Sequence, residues 1–159
     1  MKIIKKLNLK ELPLVNKFLL EEIDEFSKFI KIGWNFENLK NHFEKENNFS
    51  LGYFSNNILC AVLIGEKISN SVNFDLEMHI MYVSKLNRGI NIGSSIINFI
   101  HKNKKINRIS KIYLEVSEKN LKAIKFYQKN NFVFLKIRHN YYKYNNKVIN
   151  AKCFQKEFK

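Results

Sequence analysis

Between Val72 and Val116 the chain reads strand, helix, strand, and that order constrains the fold more than any other feature of the sequence. Val72–Val83 is a long strand-like run. Ile92–Lys102 carries Ile92, Ile96, Ile97 and Ile100 at helical spacing, and Ile112–Val116 is a short apolar strand. Two strands joined through a helix in one sheet lie parallel, with a right-handed crossover. The rest pairs differently. Phe49–Phe54 and Ile58–Glu66 flank Ser55-Asn56-Asn57, a hairpin signal, and with Val72–Val83 form an antiparallel meander. Lys2–Leu7 precedes them as a first strand. Phe132–Arg138 and Val148–Phe158 follow as the last two, separated by a loop over Asn140–Asn146.

Helices fill the intervals. Leu9–Phe26 places Leu12, Val15, Phe18, Leu19, Ile23 and Phe26 at helical spacing, with Pro13 in the first turn, where proline is tolerated. Asn35 is a suitable cap for a short helix bearing Phe36, Leu39 and Phe43. Asn120–Asn130 is a further helix, its apolar side carrying Leu121, Ile124 and Tyr127. The expected architecture is an α/β (α+β) domain spanning residues 1–159: a mixed, mostly antiparallel, twisted sheet of about seven strands with about four helices.

Composition excludes several classes. Hydrophobic residues make up 45%, with 14 Phe and 7 Tyr, so the chain carries ample core material and is not expected to be disordered. No segment approaches the roughly 20 apolar residues of a membrane span. Lysines break the opening MKIIKKLNLKELP too early for a secretory leader, so a reduced, cytoplasmic protein is expected. Cys60 and Cys153 read as packing thiols without ligand partners at close spacing, and no metal is expected. The net charge of +14 is spread from end to end. A lysine- and asparagine-rich composition of this kind follows from an AT-biased genome, and it also permits non-specific contact with RNA.

The chemistry-bearing residues cluster between Arg88 and Tyr142. Arg88-Gly89-Ile90-Asn91-Ile92-Gly93-Ser94 opens a helix with glycine-bearing backbone, where free N–H groups bind phosphates. Glu115 closes a strand, and Tyr127 lies on the next helix, so a carboxylate and a phenol stand on neighbouring elements able to take and return a proton. Taken singly, each has an ordinary reading: Glu115 as a strand-end carboxylate, Tyr127 as a core aromatic, Tyr141 and Tyr142 as loop anchors. His42, His101 and His139 read as surface residues, His79 as a packed strand residue.

Their order and spacing resemble the GNAT acetyltransferases. Residues 88–94 match that family's Arg/Gln-any-any-Gly-any-Gly/Ala loop, with Asn91 at its first glycine. Asn enters left-handed conformations more readily than other non-glycine residues. Glu118–Phe132, EKNLKAIKFYQKNNF, is similar to the second signature through Asn120, Ala123, Tyr127 and Phe132, with Asn131 replacing a glycine. A narrower resemblance, to the RimI-type enzymes that acetylate the N-terminus of a ribosomal protein, rests on Glu115 and Tyr127 at their spacing and on Ile137–Tyr142, IRHNYY. Lys143 stands there in place of the usual proline, and Trp34 falls where that subgroup has a tryptophan.

The resemblance implies acetyl-CoA as co-substrate and a parallel strand pair that splays at its C-terminal ends. It implies that backbone of Met81, Tyr82 and Val83 grips the pantetheine arm, that the backbone of Arg88, Gly89, Ile90, Asn91, Ile92, Gly93 and Ser94 binds the pyrophosphate, and that Asn120 contacts the arm. Glu115 is then the base, with Glu77 and His79 as rivals, and Tyr127 the acid or thiolate partner. Trp34, Arg138, Tyr141 and Tyr142 would line the site for the N-terminal peptide of a protein, such as a ribosomal protein. Two other functions compete: a GNAT acting on a small amine such as an aminoglycoside or polyamine, and a non-catalytic module binding acyl-CoA or RNA.

Overall fold

The computed structural model describes residues 1–144 and 147–158. Seven strands form one sheet in the order β1-β2-β3-β4-β5-β7-β6: β1 Lys2–Leu7, β2 Ser50–Ser55, β3 Ile58–Ser69, β4 Phe74–Val83, β5 Ile109–Ser117, β6 Val133–Tyr144 and β7 Lys147–Glu157. Only β4 and β5 pair in parallel; the other neighbours are antiparallel. The hairpin between β2 and β3 closes on Asn56 and Asn57, both at positive φ (48° and 65°), the primed turn that suits strand twist.

Helices cover both faces. On one, α4 (Ile92–Lys102) and α6 (Leu121–Lys129) pack against Leu76, Met78, Leu114 and Val116. The four isoleucines expected to line α4 are all buried there, whereas Leu121 of α6 stays exposed. On the other, α1 (Leu12–Glu21), α2 (Ile23–Lys31) and α3 (Phe36–Glu44) cover Val62, Ile64, Ile80 and Tyr82. A short α5 (Lys104–Asn107) brings the helices among the described residues to six. No helix among those residues is long and apolar enough to cross a membrane.

Three expectations are corrected. The helix over Leu9–Phe26 is instead a 3-10 turn at Leu9–Glu11, then α1 and α2 broken at Glu22. The Glu22 carboxylate accepts from the Tyr82 hydroxyl (3.0 Å) and the Lys85 N–H (3.3 Å), so a tertiary partner overrides local helicity. The loop over Asn140–Asn146 does not begin at Asn140, because β6 runs on to Tyr144; the last two residues of that expected loop lie outside the described residues. Register shifts within β6, with Asn140 at φ 55°, let the strand bend instead of ending. His42 is not on the surface but 4% exposed, its Nε2 3.0 Å from the Gly65 carbonyl.

One irregularity shapes the centre of the sheet. Gly65 on β3 pairs with Met78 and Ile64 with Ile80, so His79 is an extra residue on β4. This bulge switches the strand's faces. Leu76 and Met78 belong to the α4–α6 core, but Ile80 and Tyr82 belong to the α1–α3 core, while Met81 and Val83 pack against the former. A Cβ built on Gly65 would lie 2.6 Å from the Glu77 carbonyl oxygen, so only glycine admits this close backbone approach. Gly65→Ala should therefore lower unfolding free energy by about 1–3 kcal/mol, as for other overpacked sites, measured by urea denaturation monitored through circular dichroism.

Candidate active site

The bulge opens the sheet. Parallel pairing between β4 and β5 stops at Met78 and Leu114, although β4 continues to Val83 and β5 to Ser117. Beyond that point β4 keeps its partner β3 on one side, through Met81, Tyr82 and Val83, and presents an unpaired backbone edge on the other. Glu115 and His79 are the first residues past the last pair. Main-chain groups on such an edge need partners, and an extended amide-bearing chain can supply them.

At the end of β4 the loop from Arg88 to Ser94 leads into α4. Gly89 (φ 79°) and Asn91 (φ 64°) turn the backbone left-handed, as an αL-tolerant asparagine at this position allows. Asn8, Asn35 and Asn120 cap their helices through the side chain; Asn91 makes no such bond, so the first N–H groups of α4 are left to another acceptor. Gly93 sits against α6: a Cβ there would meet the Phe126 ring at 2.9 Å. Arg88 does not point its guanidinium into the loop. It pairs with Glu25 through two contacts (3.1 and 2.5 Å), donates from Nε to the Val83 carbonyl (3.0 Å) and from Nη2 to the Tyr82 hydroxyl (3.2 Å). Arg88 holds the Glu25 carboxyl below its ordinary range, overcoming the opposing effect of burial.

The side chains expected around the acceptor meet at Glu115. Leu114 and Val116 face the α4–α6 core, so Glu115 projects from the opposite face of β5. Its Oε1 is ion-paired with Arg138 Nη1 and lies 3.9 Å from the Cys153 thiol. The Arg138 guanidinium lies 4.2 Å from the centre of the Tyr141 ring, and Tyr141 and Tyr142 meet edge to face at 4.9 Å. Tyr142 donates from its hydroxyl to the Glu115 carbonyl (3.3 Å). The Tyr141 phenol is pushed up to about 12, by burial first and then by the neighbouring Glu115 carboxylate.

Tyr127 lies in the other layer, 8% exposed, with its ring between Phe126, Phe132 and Phe154. Burial raises its phenol well above the ordinary range, so it stays protonated at neutral pH. Glu115 and Tyr127 thus lie on opposite faces of the sheet. Asn120 accepts from the Ala123 N–H (3.2 Å) and caps α6.

Trp34 stands apart from this group. It packs against the imidazoles of His42 (5.5 Å) and His79 (5.4 Å), and it also borders a cavity of about 260 Å³ lined by Leu19, Leu20, Phe26, Ile30 and Phe36. His79 contacts Glu66 (3.3 Å), and Glu66 pairs with Lys45 (2.8 Å). Desolvation comes first among the influences on Glu66 and opposes ionisation, yet Lys45 and the two histidines together hold its carboxyl below the usual range. Sequence reasoning missed this group because its members come from α3, β3 and β4. The one usable signal was a histidine, His42, on the apolar side of a helix.

A family model described as an acetyltransferase (GNAT) domain matches residues 53–134. A search of the curated proteins finds no match. Among solved structures, the fold is similar to the ribosomal-protein-S18-alanine N-acetyltransferase from Escherichia coli, at 16% identity and TM-score 0.76, covering 99% of this chain and 94% of that one. It is similar to Arabidopsis thaliana NAA60 in complex with acetyl-CoA, at 15% identity and TM-score 0.79, covering 99% and 98%. Arabidopsis thaliana Naa50 in complex with the bisubstrate analogue CoA-Ac-MVNAL is 20% identical with TM-score 0.73, covering 99% of each chain. Removing the Arg88 brace with Glu25→Ala should raise the Kd for acetyl-CoA about 3–10-fold, the range of a lost exposed charge-assisted contact, read by isothermal titration calorimetry.

Proposed function

The chain belongs to the GNAT acetyltransferase family, and on that premise we propose that it moves the acetyl group of acetyl-CoA to the N-terminal α-amine of a protein, with a ribosomal protein as the favoured acceptor. The observation that carries this reading is the gathering of Glu115, Arg138, Tyr141 and Tyr142 at the mouth of the parted strands, with Tyr127 behind it. The likeness of fold to the E. coli S18-alanine enzyme supports the ribosomal acceptor by analogy.

The cofactor's pantetheine lies along the unpaired edge of β4 at Met81, Tyr82 and Val83. Its pyrophosphate takes the backbone N–H groups of Gly89, Ile90, Asn91, Ile92, Gly93 and Ser94. Arg88 serves as the brace that shapes this loop. Asn120 fixes the start of α6 by accepting the Ala123 N–H at its side-chain oxygen, and its amide hydrogens are the groups offered to the arm.

An amine attacks a thioester only when neutral. A peptide α-amine titrates near about 7.7–8.0, so about one in seven is neutral at pH 7; a lysine side chain, near about 10.4, is neutral in about one of a few thousand. Modest help suffices for the first. Glu115 takes the amine proton through a water, while Arg138 and the Cys153 thiol both address Oε1 and fix the carboxylate's orientation. Collapse of the tetrahedral intermediate breaks the C–S bond, and the leaving thiolate accepts a hydrogen bond from Tyr127. With its pKa raised by burial, that phenol favours holding the thiolate over surrendering its proton outright. Tyr141 and Tyr142 border the approach of the peptide.

Glu115→Gln and Tyr127→Phe should each lower kcat by about 10²–10⁴-fold with acetyl-CoA and short Ala- or Ser-starting peptides, read by mass spectrometry. Acetyl-CoA bound by the unaltered chain with no acetyl transfer to any amine would favour a non-catalytic module. Acetylation of polyamines or aminoglycosides without any peptide α-amine product would favour a small-amine enzyme.

A further inference from the structure

We propose that His42, Glu66 and His79 form a binding site for a divalent transition-metal ion of the zinc class, tying α3 to the bulge of β4. One ligand atom from each of the three lies within 4.8 Å of the others. His79 Nε2 and Glu66 Oε1 are 3.3 Å apart, close to the about 3.3–3.5 Å that separates two ligands on a tetrahedral zinc with bonds of about 2.0–2.2 Å. His42, from α3, brings the third ligand atom within 4.8 Å of these two, and rotation of its ring and of Glu66 would complete the approach.

The surroundings have the form of a supported ligand set. The Gly65 carbonyl can only accept a hydrogen bond, so His42 Nε2, 3.0 Å away, carries the proton. Its Nδ1 is therefore the atom with a lone pair to offer. A backbone carbonyl fixing one nitrogen so that the other coordinates is the usual outer support of a metal-bound histidine. Glu66 is oriented in the same way: its Oε2 is held by Lys45 (2.8 Å) and by the Asn47 amide (3.5 Å), while Oε1 turns toward His79. The two imidazoles stand perpendicular at 5.5 Å, with the Trp34 ring against both, so one side is screened by an apolar surface. Two nitrogens and one carboxylate oxygen leave a fourth tetrahedral position for water or a donor from outside.

No step of acetyl transfer runs through this ion. It acts on the bulge itself, clamping the element that parts β4 from β5, and it binds the folded chain only, so it stabilises the protein by mass action.

Trp34 is the only tryptophan, which gives a direct readout. The full chain, stripped with chelator, is titrated with Ni²⁺ while tryptophan emission is followed, then with Zn²⁺ as competitor. Saturable 1:1 quenching reversed by Zn²⁺, and a rise in Tm with Zn²⁺, are expected. His79→Gln and Glu66→Gln should each weaken binding by more than the about 10–100-fold that loss of an outer support costs. The double variant His101→Gln/His139→Gln, which removes the histidines outside the cluster, should leave it unchanged. His42 is buried on a backbone partner, so the test does not depend on folding of a His42 variant. Quenching that fails to saturate, that survives His79→Gln, or that disappears in the His101/His139 double variant overturns the proposal. Acetyltransferase activity is a separate readout and decides nothing here.

Discussion

A single extra residue in β4 organises this molecule. A strand has two faces, and an unbroken β4 would send every second side chain to the same layer from Phe74 to Val83. Inserting His79 opposite the Ile64–Gly65 step resets the alternation. Below it, Leu76 and Met78 join the core under α4 and α6; above it, Ile80 and Tyr82 join the core under α1 and α3. The same step ends pairing with β5 and creates the opening in the sheet beside Glu115. Gly65 is the concession on the neighbouring strand, because any side chain there would strike the Glu77 carbonyl.

Around that opening the arginines are already engaged. Arg88 is bound to Glu25, Tyr82 and Val83, and Arg138 to Glu115 and the Tyr141 ring. The net charge of +14 is carried largely by lysines spread along the chain. Under the proposed function, recognition of the phosphate groups would fall to main-chain N–H groups and the dipole of α4, which bind by geometry and lose less to salt screening than lysines in solvent.

How much of this could be read from the residues follows from the range of each interaction. The α4 isoleucines repeat at a helical period, and burial then follows from local pattern alone, so that helix matches residue for residue. The cap at Asn35 is equally local. The left-handed turn at Asn91 was legible as well, since few other residues tolerate it. What escaped was set by distant partners. The break between α1 and α2 depends on Glu22 meeting Tyr82, 60 residues away. The continuation of β6 past Asn140 depends on β7, whose Asn150 accepts from the Asn140 N–H. His42 looked like a polar residue on a short helix until Gly65 gave it a carbonyl to meet. Within the candidate site, the company of Glu115 was legible through its neighbours in order, but its pairing with Arg138 and the Cys153 thiol required the β5–β7–β6 registry.

The contact between Gly93 and Phe126 carries a consequence for how such a protein cycles. The first turn of α4 rests at Gly93 directly on the Phe126 ring of α6, and Phe126 adjoins Tyr127 in sequence and meets it edge to face. Two helices so joined connect the left-handed turn at the start of α4 to the Tyr127 ring by direct contact, so under the proposed function a substitution at Phe126 would be felt at both the phosphate and the sulfur of the cofactor.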